Sequence, residues 1–282
     1  MPIVTLTTDW GNRDYYLASF KGMLASNCPE VRVVDITNEV DHFDILQASF
    51  ILKNCYEKFP AGTIHFIGVR GHETRQKSNG YLLVESNGHF FIGFDNGIFS
   101  LTLDDVDKKI FMSGINASAP SYEITEQIVQ IIATLVKGHS PETFCKPSDE
   151  LISVINSSPS FDQDTIRGSI IYIDSFQNII SNIPKKLFAE QSASRSFSIV
   201  VRNHECKFRK VYSHYSDAET GEPVCLFNEK GLLELALNGA NAAGLLGVKV
   251  LDNIRIEFHG VVHLPKQEYL SPSSANEVPG NL

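Results

Sequence analysis

The chain reads as two domains of different class: an α/β N-terminal domain, with a mostly parallel sheet flanked by helices, followed by an all-β C-terminal domain. Three observations predict this. Over the first half, short β-branched apolar runs alternate with segments of helical apolar spacing, the pattern of strand–helix–strand crossovers. From Lys146 to Asp164 that periodicity gives way to a stretch rich in Ser, Pro and Asp. Beyond it, short strands follow one another between Gly, Asn and Asp turns, as in a small barrel or sandwich. The resulting boundaries are 1–145 for the α/β domain, 146–164 for a linker, 165–264 for the all-β domain and 265–282 for a flexible tail.

Element by element, Ile3 to Leu6 is a buried strand, and Tyr15 to Ala25 carries Tyr16, Phe20, Met23 and Leu24 at helical spacing. Val31 to Ile36 is a second strand. Phe43 to Lys58 is an amphipathic helix, its inward stripe made by Ile45, Ala48, Ile51, Leu52 and Cys55. Pro60-Ala61-Gly62 stops it, and Thr63 to Val69 is the third strand. Tyr81 to Ser86 and His89 to Gly93 flank Asn87-Gly88, a two-residue hairpin signal. Asp95-Asn96-Gly97 is a turn, and Ser121 to Lys137 is a helix closed by Gly138. In the second half the strands are Ser169 to Ile173, Ile179 to Ile183, Phe197 to Val201, Cys206 to Tyr212, Pro223 to Phe227 and Ile254 to His259.

With 43% hydrophobic and 20% charged residues, the 282-residue chain has the composition of a globular protein with a real core. A net charge of −9 without a basic stripe argues against nucleic acid as a partner, and leaves room for a local basic pocket for an anion. The five cysteines are scattered, which fits reduced thiols better than a disulfide frame or a zinc site. No metal centre is expected. No secretory leader pattern precedes the first strand and no apolar run approaches membrane-spanning length, so a cytoplasmic protein without membrane contact is expected.

Chemistry points first to Thr7-Thr8-Asp9-Trp10-Gly11-Asn12-Arg13-Asp14, where two carboxylates follow the opening strand. In parallel sheets ligands lie at that end of a strand, and Asp9 is placed to accept both hydroxyls of a ribose. The plainer reading is that Asp9 caps the following helix and Asp14 is surface charge. Asp174-Ser175-Phe176-Gln177-Asn178 offers a ring to stack on and polar groups for a purine or an ammonium, or else is an ordinary Asx turn. Phe227-Asn228-Glu229-Lys230-Gly231 and Asn238-Gly239-Ala240-Asn241 are turns where backbone approaches either a flat ligand or another element.

In order, these segments resemble the S-adenosylmethionine-dependent hydroxide adenosyltransferase family, whose halogenating branch includes the fluorinase and chlorinase. Thr8-Asp9-Trp10-Gly11 with Asp14 and Lys21-Gly22 matches its opening motif, and Val33-Val34-Asp35-Ile36-Thr37 its Val-Asp-Ile-Thr-His, with Asn38 for the His. Phe59-Pro60-Ala61-Gly62-Thr63-Ile64-His65 matches Phe-Pro-x-Gly-Thr-Val-His, and Asp95-Asn96-Gly97 matches Pro-Asp-Asn-Gly. Asp174 to Asn178 matches Asp-x-Phe-Gly-Asn, and Asn228 to Gly231 matches Asn-Ser-x-Gly. The resemblance runs in register from residue 3 to about 258.

It implies a β-barrel for the C-terminal domain and a homotrimer with its sites at subunit interfaces. It implies S-adenosylmethionine as a substrate, with no cofactor, hydrolysed by water attack at the ribose C5′ to adenosine and methionine. Asp9, with Asp14 beside it, would hold the ribose diol, and Phe43 would border the sugar. Asp174 and Asn178 would take the ammonium and adenine edge, with Phe176 and Tyr215 flanking the adenine. Gly239 would read the adenine edge by its backbone, and Asn96 and Asn228 mark the remaining binding turns.

Departures from the pattern fall on the chemistry. The family's Asp-Pro-Gly-Val-Gly is replaced by Gly68-Val69-Arg70-Gly71-His72-Glu73-Thr74, so the Asp is absent while Arg75 remains. The His of Phe-His-Gly-Arg-Asp is Glu123, and the Ser of Asn-Ser-x-Gly is Glu229. The halogenases keep a small hydroxyl residue where Ile124 stands, which argues against halide transfer. Either Glu123 serves as the base, with Arg75 orienting water and His72 or Glu73 supplying a lost contact, or the pocket binds an adenosyl compound without cleaving it. The structural alternative for Glu123 is a helix-start residue favoured by the dipole.

Overall fold

The structure is a computed structural model that describes residues 1–70, 80–103, 106–154, 158–192, 195–202, 204–206 and 208–260. The predicted tail 265–282 lies outside the described residues. The chain divides into two compact units, the first comprising Met1–Ser158 with Ile170–Asp174, the second Pro159–Ser169 with the residues from Ser175 onward.

The first unit is an α/β/α sandwich. Its strands are β1 (Ile3–Thr8), β2 (Arg32–Thr37), β3 (Ile64–Gly68), β4 (Tyr81–Ser86), β5 (His89–Phe94), β6 (Lys108–Met112) and β7 (Lys146–Ser148), in the order β2-β1-β3-β5-β4-β6-β7. Helices α1 (Tyr15–Asn27) and α4 (Ser121–Val136) cover one face. There Val4, Leu6, Phe66 and Ile92 of the sheet meet Phe20, Leu24, Ile128 and Ile132 of the helices. Helices α2 (Ile45–Cys55) and α3 (Ile98–Thr102) cover the other face, where Ala48, Leu52 and Phe99 pack with Ile67, Val84 and Phe91. Alternate residues of each strand thus feed two separate cores, as a two-residue side-chain period requires. Tyr172, from the segment that belongs to this unit, stacks on Phe50 of α2 at 4.3 Å.

The sheet is mixed rather than mostly parallel. Pairings β1·β2, β1·β3 and β3·β5 are parallel, whereas β4·β5, β4·β6 and β6·β7 are antiparallel. The cause is local: Asn87 (φ +49°) and Gly88 (φ +75°) form the two-residue left-handed turn that folds β4 back on β5. Because β4 is antiparallel to both β5 and β6, strands β1, β2, β3, β5 and β6 all run the same way. Their C-terminal ends share one edge, and α1, α2, α3 and α4 all start from it.

Three predicted elements end elsewhere. Helix α2 begins at Ile45, because Asp44 caps it by accepting a hydrogen bond from the Gln47 amide at 2.9 Å and Phe43 sits at φ +67°, outside any right-handed helix. The stretch expected as a linker opens with β7, which extends the sheet, and Ile152 there is buried with its amide on the Asp95 carboxylate at 3.1 Å. Of the strand expected over Cys206 to Tyr212, the described residues show β-structure at His204–Cys206 and an isolated bridge at Val211.

The second unit is all-β apart from short helices. Its strands are β8 (Ser160–Asp162), the first part of β9 (Thr165–Ile173, of which Thr165–Ser169 lies in this unit), β10 (Ile179–Pro184), β11 (Ser196–Val201), β12 (His204–Cys206), β13 (Pro223–Phe227), β14 (Leu232–Leu237) and β15 (Asn253–His259). They form one sheet in the order β12-β11-β15-β9-β10-β14-β13, with β8 beside β9. Two helices, α5 (Lys185–Ser192) and α6 (Ala242–Leu246), interrupt it.

Cys28, Cys55, Cys145 and Cys225 carry free thiols, and burial pushes Cys145 up to about 11 and Cys225 up to about 12. Among the described residues no helix is long and apolar enough to cross a membrane.

One polar cluster lies inside the α2-side core. His65 is fully buried between the Thr5 hydroxyl, 2.7 Å from Nδ1, and His89 Nδ1, 3.2 Å from Nε2. Burial first, and His89 second, holds His65 down at about 3, and burial lowers His89 as well. Both imidazoles are therefore neutral in the fold and charge readily only when unfolded. Stability from this pair is complete above about pH 6.5 and is lost as pH falls below it, since the unfolded chain then binds the extra protons. Urea unfolding of wild type and His65→Asn at pH 7 and pH 5 is expected to show wild type losing about 2 kcal/mol more than the variant on acidification.

Candidate active site

The loop after β1 is fixed from both sides. Gly11 (φ +67°) donates its amide to the Asn38 carbonyl at 2.7 Å, and the Thr8 hydroxyl donates to Asn38 Oδ1 at 2.9 Å. Trp10 packs edge-on to Phe20 and tilted against Phe66, both at 5.6 Å. This is possible because Gly68 opposite has no side chain: a Cβ there would lie 2.8 Å from Thr8 Cγ2 and 3.1 Å from the indole.

Asp9 is thereby held at the C-terminal edge of the sheet with only 8% of its surface exposed. Its Oδ2 accepts the Phe43 amide at 2.9 Å, and its backbone carbonyl accepts His42 Nδ1 at 3.0 Å, which places that ring's proton on Nδ1. Among the described residues no other donor reaches the carboxylate. A buried carboxylate with one oxygen uncommitted is a site for hydroxyl donors. The cap of α1 is Asp14, not Asp9, and it acts by position, without a side-chain cap bond and exposed before the positive end of the helix. Phe43 combines a left-handed backbone with a half-exposed ring, a strained conformation of the kind found at ligand sites.

Elsewhere on this edge, Asn96 is buried and its amide is committed. Nδ2 donates to the carbonyls of Val69 at 3.0 Å and Arg70 at 2.6 Å, while Oδ1 accepts the Ile98 amide at 3.2 Å. It holds the end of β3 in place, at the edge where a ligand contact is expected of it. Glu123 occupies the first turn of α4, half-buried, and accepts the Tyr122 hydroxyl at 3.0 Å. It borders a groove of about 670 Å³ along α4, into which Met23, Glu126 and Gln127 also open. Ile124 points the other way, into the core. Arg75, His72 and Glu73 lie outside the described residues. A cation that sequence reasoning passed over is Arg70, whose guanidinium lies 4.9 Å above the Phe94 ring and donates to the Ala117 carbonyl at 3.4 Å. Its position directly after a central strand was the available signal.

The loop from Asp174 to Asn178 joins β9 to β10 and belongs to the second unit from Ser175 onward. Phe176 is 78% exposed, Gln177 is left-handed at φ +66°, and Asn178 is buried. The Gln177 carbonyl accepts the Ala243 amide at 3.0 Å, tying this loop to the turn that contains Gly239 (φ +72°). Tyr215 is held nearby in the fold by its hydroxyl, which donates to the buried Glu234 of β14. Phe176, Asn178, Tyr215 and Gly239 are thus gathered at one end of the β10·β14 ladder, where Ile179 faces Leu235. Asn228 is not among them. Its Oδ1 accepts the amides of Lys230 and Leu232, both at 3.1 Å, and organises the β13–β14 turn. That turn is at the far end of β14, roughly 17 Å along the strand.

Family models for the SAM hydroxide adenosyltransferase N-terminal and C-terminal domains match residues 4–145 and 168–255. The chain belongs to the SAM hydroxide adenosyltransferase family. It is similar to the (R)-S-adenosyl-L-methionine hydrolase of Methanocaldococcus jannaschii, with 26% identity over 91% of this chain and 96% of that one. It is similar also to the (R)-S-adenosyl-L-methionine hydrolase of Salinispora arenicola, with 25% identity over 90% of this chain and 97% of that one. Among solved structures, an uncharacterized conserved protein from Thermotoga maritima shares the fold, with a TM-score of 0.77, 22% identity, and coverage of 91% of this chain and 99% of that one.

For this SAM hydroxide adenosyltransferase chain, the strain at Phe43 has a measurable consequence. Phe43→Gly is expected to raise unfolding stability by about 1 kcal/mol, because glycine adopts the left-handed backbone freely and little ring packing is lost. The same variant is expected to weaken adenosine binding at least fivefold by calorimetry.

Proposed function

We propose that this chain binds S-adenosyl-L-methionine, in the (R) form named for its relatives, and hydrolyses it to adenosine and methionine. One observation carries the reading: a buried carboxylate, Asp9, is fixed at the C-terminal edge of the sheet with an oxygen that no donor among the described residues uses. Membership of the family and end-to-end similarity to two (R)-S-adenosyl-L-methionine hydrolases support it.

In this reading Asp9 accepts the 2′- and 3′-hydroxyls and sets the ribose so that C5′ faces a bound water, with Phe43 against the sugar. The water oxygen forms its bond to C5′ as the C5′–S bond breaks, and sulfur keeps that electron pair and departs as the neutral thioether of methionine. No acid is needed for such a leaving group. Catalysis therefore rests on alignment of the attacking water, exclusion of other water and removal of one proton. Glu123, which starts α4 at the same edge as Asp9, takes the proton the attacking water releases, and Arg75 orients that water. Phe176 and Tyr215 flank the adenine, the Gly239 turn and Asn178 meet its polar edge, and Asp174 receives the ammonium. The protein acts as a homotrimer whose sites draw on two copies, with the eight-stranded sheet as the family's barrel.

Incubation with each sulfonium epimer, followed by chromatography for adenosine, tests the activity. Adenosine from the (R) form alone is expected, with Glu123→Gln lowering kcat by about 10²- to 10⁴-fold and leaving KM nearly unchanged. Tight binding without product would make the chain a nucleoside-binding protein instead.

A further inference from the structure

Strand β14 reads Leu232-Leu233-Glu234-Leu235-Ala236-Leu237, a single acid in an otherwise apolar run, and that acid is only 4% exposed. The register sets Glu234 between Leu226 of β13 and Ile180 of β10, both of them buried. Residues directly opposite on adjacent strands project from the same face, so the carboxylate stands among apolar side chains. Leucine would suit the pattern of the strand, whereas a buried carboxylate carries a desolvation penalty that hydrogen bonds must offset. A residue that breaks the local pattern at such a cost points to a task other than packing. Here the Tyr215 hydroxyl donates to Glu234 Oε1, and the Tyr215 ring is half-exposed.

The segment that carries Tyr215 lies over this same face of the sheet. Tyr212 and Ala218 pack on Val224, Leu226 and Ala236. Between them a single 3-10 turn, Tyr215–Asp217, is closed by Asp217 Oδ2, which accepts the amides of Ser213 at 3.2 Å and His214 at 3.0 Å. The Ala218 carbonyl accepts Asn238 Nδ2 at 2.8 Å, and Asn238 directly precedes Gly239. The backbone of the turn is thus tied to the end of β14, and the ring is tied to β14 four residues earlier. A half-exposed tyrosine samples several rotamers, and that freedom is lost when a ligand stacks on it. A hydroxyl-to-carboxylate bond removes the freedom beforehand. It also commits the phenol proton, so the ring offers a ligand its face.

We propose that Glu234 is a positioning residue for the base of the nucleoside, acting through Tyr215, whose ring it holds in the orientation that stacks on adenine. This role rests on the reading of Tyr215 as an adenine-flanking residue, and it adds to that reading a buried group that touches no ligand. Preorganisation of this kind strengthens binding of the base and leaves the reacting C5′ untouched.

Titration calorimetry with adenosine and turnover of S-adenosyl-L-methionine test it, on the full chain and its variants. Tyr215→Phe removes the bond from the surface side and leaves β14 intact, while Glu234→Leu removes it from the core side. Each is expected to weaken adenosine binding about fivefold, the worth of one hydrogen bond, and to raise KM by a similar factor at unchanged kcat. The double variant is expected to lose no more than either single one, because the two groups act as a unit. Glu234→Gln, whose amide oxygen accepts the same proton, is expected to recover most of the affinity that Glu234→Leu loses. A purely structural role would instead lower the amount of active protein, seen as a lower Tm and kcat at unchanged KM. That outcome, additive losses in the double variant, or an adenosine Kd unchanged in both single variants overturns the role of Glu234 and leaves the hydrolase reading standing. Wild type that binds neither adenosine nor S-adenosyl-L-methionine overturns both.

Discussion

A single hydrogen bond, from the Phe43 amide to Asp9 Oδ2, fixes the geometry on which the proposed chemistry depends. It ties the loop after β1 to the loop before α2 and pins a nearly buried carboxylate in one orientation. An isolated buried charge would be costly, and one amide donor compensates only part of that cost. In the proposed function the ribose hydroxyls supply the remainder. The Thr8–Asn38 and Gly11–Asn38 bonds and the packing of Trp10 beneath Gly68 hold the backbone from which that carboxylate projects. Phe43 accepts a left-handed backbone so that its amide can point inward and its ring outward.

Strand direction does the rest. Because β4 is the antiparallel partner of both β5 and β6, five strands deliver their C-terminal ends to one edge. There the backbone leaves Asp9, Arg70, Asn96 and the start of α4. The division of labour along that edge follows hydrogen-bonding capacity. Asn96 spends its amide on two carbonyls and one N–H and so shapes the rim. Among the described residues, Asp9 takes one amide on its carboxylate and Glu123 one hydroxyl, and both keep further acceptor capacity. In the second unit the division is similar. Asn228 is consumed by its own turn, whereas Phe176 stands exposed on a loop that the Ala243 amide holds from behind.

Much of this was legible in the sequence because it rests on local signals. Asn87-Gly88 announced its hairpin, Pro60-Ala61-Gly62 the stop before β3, and the apolar stripe of α4 its buried face. What was not legible depends on pairing between distant residues. Strand β6 opens with two lysines and is recognisable only once β4 lies beside it. The segment from Lys146 lacks periodicity because an edge strand of three residues is too short to display any. That Asn96 spends its amide on the carbonyls of Val69 and Arg70 was not legible either, since those partners are distant in the chain.

The most direct test of the central claim compares adenosine with 2′,3′-dideoxyadenosine in titration calorimetry against the wild-type protein. If Asp9 grips the diol through two charge-assisted hydrogen bonds, adenosine binds at least about 100-fold more tightly, and Asp9→Asn removes most of that difference. Equal affinity for the two nucleosides, or a preference that survives in Asp9→Asn, would contradict the account.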